Sequence, residues 1–134
     1  IRLLEHYMLS QLMHDHRLNV SRRYPQGKDV EKEDVLTLVE ELKNPNEYGQ
    51  GKYPVLYSIQ QILNFHTFVA REYRSGNLDA GVVENFFRTI TQQMADKFSY
   101  VIKHYRKIPP GGERPRSYSE LVLLLKEWHD RDLD

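Results

Sequence analysis

From Tyr53 to Ala70 the chain carries no Asp, Glu, Lys or Arg. An uncharged run of that length approaches a membrane span. It also holds Ser58, Gln60, Gln61, Asn64 and His66, side chains that are costly in lipid. The run therefore reads as a core helix. Its apolar positions fall on the row Val55, Ile59, Ile62, His66, Val69 and Tyr73, with Leu56, Leu63 and Ala70 as a second row. A helix apolar on two rows belongs at the centre of a helical bundle. Pro54 suits its first position, and Ser75-Gly76 stops it with a left-handed cap.

Four more segments share the helical period. The first spans about Ile1 to Asn19, with Ile1, Leu4, Met8 and Leu12 in its stripe, and Ser21 to Gly27 follows as a loop. The second spans about Glu31 to Lys43, with Asp29 as its expected N-cap and Asn44-Pro45 as its stop. The fourth is the longest. It runs from an Asp79 cap to about Lys107, with Val83, Phe87, Ile90, Met94, Phe98, Val101 and Tyr105 facing the core. The fifth begins at Ser117, where Ser117 and Glu120 have the spacing of a capping box. No segment alternates as a strand does. The expected fold is all-α: a bundle of about five helices around a central antiparallel hairpin of the third and fourth.

At 134 residues the chain is expected to be a single helical domain, residues 1–134. It begins with Ile1, so its natural N-terminus is expected upstream. The absence of cysteine excludes a disulfide scaffold, thiol catalysis and thiolate metal sites. No cofactor motif is present.

The order Ile62-Leu63-Asn64-Phe65, Arg74-Ser75-Gly76, Asp79, a long helix with a basic end, then Tyr118 to Trp128 resembles a family of small all-helical bacterial and phage domains of unknown function. The resemblance covers the second half of the chain. Members of that family often carry an N-terminal membrane helix ahead of a cytoplasmic part. The resemblance therefore implies a cytoplasmic domain tethered to the inner face of a membrane, and it brings no activity with it. Read from the residues alone, Gly76 and Asp79 are helix punctuation and Trp128 anchors the last helix. Asn64 is expected to make an inter-helix hydrogen bond, and His66 is expected to be a satisfied core histidine.

His14-Asp15-His16 invites a metal-dependent hydrolase reading. Neighbours one or two apart on a helix face different directions, however, and no His-x-x-x-His or Glu-x-x-His pair occurs. The histidines are read as structural or solvated, and the carboxylate pair Glu40-Glu41 as a solvated face. Charge distribution says more. Asp29 to Glu47 holds seven acidic and two basic residues, a net −5, whereas Lys97 to Arg116 holds six basic and one acidic, a net +5. Lys103, Arg106 and Lys107 share a helix face, and Arg114 and Arg116 follow. Such a face can meet a protein partner or a second copy of the chain. It can also track a phosphate backbone or lie on an anionic membrane surface. The expectation is a non-enzymatic protein-interaction domain, with nucleic-acid binding through residues 97–116 as the alternative.

Overall fold

A computed structural model describes Gln11 and residues 13–44, 53–107 and 117–128. These residues are all-α, with no strand among them. The helices are α1 (His14–Arg23), α2 (Lys32–Lys43), α3 (Val55–Arg74), α4 (Ala80–Val82), a π-helical turn (Val83–Phe87), α5 (Arg88–Lys97), α6 (Ser99–Arg106) and α7 (Ser119–Glu127). The chain divides into two compact units, Ile1–Phe65 and His66–Asp134. The division falls inside α3.

In the first unit, α1 continues through Ser21, Arg22 and Arg23, which the sequence reading assigned to a loop. Arginines suit a helix C-terminus, where they face the negative end of the backbone dipole. The true breaker is Pro25, and the helix closes with the Tyr24 amide on the Val20 carbonyl at 2.8 Å. The expected start of this helix at Ile1 lies outside the described residues. Helix α2 is capped by Glu31 rather than Asp29: the Asp34 carboxylate accepts from the Glu31 amide at 3.0 Å. The reciprocal cap requires an acidic or amide side chain three residues on. Asp34 stands there for Glu31, whereas Lys32 stands there for Asp29. The apolar rows of α3 are buried from Leu56 to Ala70, with Leu56, Ile59 and Leu63 fully inside, and Val55 and Tyr73 at their ends are half-buried. Asn64 is exposed. The inter-helix bond expected of it is overturned, because it lies beside both rows and not on either.

In the second unit, α3 ends in a complete Schellman motif. The Asn77 amide bonds the Glu72 carbonyl at 2.9 Å and the Gly76 amide bonds the Tyr73 carbonyl at 3.0 Å, with Gly76 at φ +75°. Asp79 then caps α4, its Oδ1 accepting from the Val82 amide at 3.0 Å. Two contacts fix the direction of the next segment. His66 meets Thr91 and Tyr73 meets Glu84, so partner numbers fall as α3 numbers rise. The last part of α3 and the segment that follows are antiparallel, as the hairpin reading required.

That following segment is not one straight helix. The π turn closes with the Arg88 amide on the Val83 carbonyl, one residue wider than an α turn. A second irregularity sits at Phe98, with φ −111° and ψ 21°. Backbone bonds from Phe98 to Met94 and from Ile102 to Phe98, both 3.0 Å, carry the helical register through it. Helix α7 begins at Ser119 with Tyr118 as its cap at φ +61° and without a side-chain cap bond. The Ser117–Glu120 capping box is therefore not formed. Glu120 is engaged by Arg74 instead.

Gly76 has open space where a Cβ would stand, so its replacement costs only backbone strain. Gly76→Ala is expected to lower stability by about 1 kcal/mol, read as a lower urea midpoint with an unchanged slope. An unchanged midpoint would show that the Schellman motif is not formed.

Candidate interaction surface

His16, Ser58, His66 and Thr91 are buried and hydrogen-bonded. In the first unit the Ser58 hydroxyl is fully buried and accepts from Asn19 Nδ2 at 2.9 Å. It lies 3.0 Å from His16 Nδ1, to which it can give its own proton. The same Asn19 amide donates to the Tyr53 carbonyl at 2.8 Å. The His16 ring packs against Tyr53 and Tyr57, with centroids 4.8 and 5.7 Å away. His14 is exposed, so the two histidines face apart. Among the described residues no group of three or more His, Asp or Glu side chains could hold a metal ion. Glu41, expected on a solvated face, is 5% exposed and receives the Arg23 guanidinium on both carboxylate oxygens. Glu40 is exposed, as expected.

In the second unit His66 is buried with Nδ1 2.9 Å from the Thr91 hydroxyl. The contact depends on the π turn. In a straight helix positions 83 and 90 share a face, since seven residues make two turns. The π turn inserts one residue, so the inward position moves from 90 to 91. Val83, Thr91, Met94 and Phe98 are buried, whereas Ile90 is 50% exposed. The expected core position of Ile90 is corrected by that register shift. Phe86, within the turn, is 68% exposed. The outer face then continues through Gln93 and Tyr100 to Lys103 and Lys107, all exposed.

The basic face is thinner than the sequence implied. Lys103 lies over the Tyr100 ring at 5.5 Å. Arg106 turns inward and donates to the Ser117 carbonyl at 2.8 Å, and it is buried. It is thus a structural tie to the residue ahead of α7 and not a surface contact. Its place at the end of α6 sets it beside the incoming backbone, whose carbonyl needs a donor. Arg114 and Arg116 lie outside the described residues.

The residues behind the family resemblance are structural. Arg74 bonds Glu120 at 2.5 Å and Glu127 at 3.0 Å, tying the end of α3 to α7. Trp128 closes α7. The Arg88 guanidinium lies 5.2 Å over its ring, and Tyr73 packs on it at 6.2 Å. Sequence reasoning missed Arg74, Arg88, Ser58 and the Arg23–Glu41 pair. Each joins positions far apart in the chain, and no local spacing marks them. Residues 3–128 match the family DUF4760, a domain of unknown function. The chain belongs to that family. No curated protein and no solved structure matches it.

Ser58→Ala is expected to cost about 1–3 kcal/mol by removing the hydroxyl shared by His16 and Asn19, measured by urea unfolding. A neutral result would mean that solvent replaces the bond. Alkaline pH tests two tyrosines. Burial, reinforced by Asp34, pushes the Tyr24 hydroxyl up to about 12. Burial also raises Tyr118, with Tyr105 adding to it. Both hydroxyls resist ionisation in the folded state, so the unfolded chain loses these protons first. Their contribution is intact below the ordinary tyrosine value of about 10 and declines as pH rises from there towards 12. Tyr24→Phe should flatten that decline. An equally steep decline in the variant would assign the effect to other groups.

Proposed function

We propose that this domain acts by binding a protein and not by catalysis, through the outer face that runs from the π turn to α6. One observation carries the reading. The register shift at Val83–Phe87 puts a threonine inside and leaves Phe86 and Ile90 in solvent. π turns inside helices frequently mark functional sites, and this one turns two large apolar side chains outward. Further support comes from the engaged state of His16, Ser58, His66 and Thr91. A phosphate backbone asks for a dense cationic stripe. Arg106 turns inward, and among the described residues Lys103 and Lys107 are the exposed cations at the end of α6, so the nucleic-acid reading ranks second.

Tethering at the inner face of a membrane belongs to the same proposal and rests on the family resemblance alone. Among the described residues no helix is long and apolar enough to cross a membrane.

The test is capture of the full-length protein from its native cells after gentle detergent extraction at moderate salt. A stoichiometric protein is expected to co-purify and to be lost with the double change Phe86→Asp and Ile90→Asp. Circular dichroism should show the helices of that variant intact. Co-purifying nucleic acid, or a partner indifferent to both changes, overturns the reading.

A further inference from the structure

Helix α2 carries a second exposed apolar side chain in a distinctive setting. Among the described residues Leu36 is the most exposed large hydrophobe, at 70%. It lies on the outer face of α2 with Glu33 and Glu40, and Lys43 follows one turn on. All four are exposed. The outward positions near the end of the other long segment form the opposite pattern. Tyr100 is exposed with Lys103 and Lys107 beside it, and Asp96 precedes them by one turn.

We propose that these two faces bind each other between copies of the chain, α2 of one copy lying antiparallel against α6 of a second. This rests on the interaction reading above and names one partner for it. The direction follows from the charges. Antiparallel, Glu33 faces Lys107 and Lys43 meets Asp96, while Leu36 and Glu40 come opposite the Lys103–Tyr100 pair. Parallel, Lys43 would come opposite Lys107, and like charges at such a contact are repulsive. Both segments span about ten residues, roughly 15 Å of helix, so the charged positions match along their length.

Each copy presents both faces. The contact is heterologous, since α2 of one copy meets α6 of another. One contact covers a single short helix face, well below the area of a stable protein interface. The association is therefore weak, concentration-dependent and sensitive to salt.

Sedimentation equilibrium of the whole chain tests this. A monomer–dimer equilibrium is expected, with the association constant falling at least about tenfold as salt is raised to screen the charges. Glu33→Lys with Glu40→Lys should leave the chain monomeric, and so should Lys103→Glu with Lys107→Glu. Mixed one to one, these two variants should form a heterodimer, because each acidic face now meets a basic one. A chain that is monomeric throughout overturns the pairing, as does a dimer that survives both reversals or a mixture that stays monomeric. Capture of another protein through Phe86 and Ile90 by a monomeric chain would overturn the self-pairing and leave the interaction reading standing. Absence of any captured protein with the unaltered chain, with charge-dependent dimers intact, would do the reverse.

Discussion

The hydrogen bond between His66 and Thr91 ties together most of what is particular about the second unit. An imidazole buried on the core row of α3 must find a partner, because a buried polar group without one costs about 1–3 kcal/mol. A straight helix after Asp79 would bring Ile90 to that place and leave the ring facing a hydrocarbon. The π turn at Val83–Phe87 brings Thr91 there instead. Everything downstream inherits the shift, with Met94, Phe98 and Val101 facing inward in their turn. The exposure of Phe86 and Ile90 is the other side of the same rotation. One buried polar bond thus sets both the interior and the outer face.

The closing of the second unit depends on charge spread over aromatic surface. Isolated ion pairs in solvent contribute little. Arg74 differs because its planar head serves two carboxylates on one face of α7, Glu120 and Glu127. Arg88 adds a cation on the Trp128 ring, a contact that also shields indole surface from water. Together they hold the last helix at two points along its length. Arg74, Gly76, Asp79 and Trp128 thus have distinct structural roles. The first sets a clamp, the next two end one helix and begin another, and the last is the surface on which the clamp closes.

Much of the helical order was legible because it is local. The Schellman glycine, the Asp79 cap and the two buried rows of α3 all follow from residues within a turn or two of each other. The failures share a physical cause. Ser117 has the spacing of a capping residue, but Glu120 is taken by Arg74 from another helix. Arg106 has the spacing of a surface cation, but the Ser117 carbonyl draws it inward. Ile90 has the spacing of a core residue until one extra residue enters the turn before it. In each case a contact between distant segments outweighs a local preference. The outer face was half legible. Its charge asymmetry was plain in the sequence, whereas its apolar members were hidden by the register shift.

The two units use one device in mirrored form. In the first, α3 supplies the hydroxyl of Ser58 and α1 supplies the imidazole of His16. In the second, α3 supplies the imidazole of His66 and α5 the hydroxyl of Thr91. A bundle packed by Leu, Ile and Val alone tolerates sliding, since one aliphatic contact replaces another at small cost. A buried histidine removes that tolerance, because a slipped helix leaves its ring without the matching hydroxyl. These pairs therefore act as register marks. Polar groups held in that way are consumed by the fold.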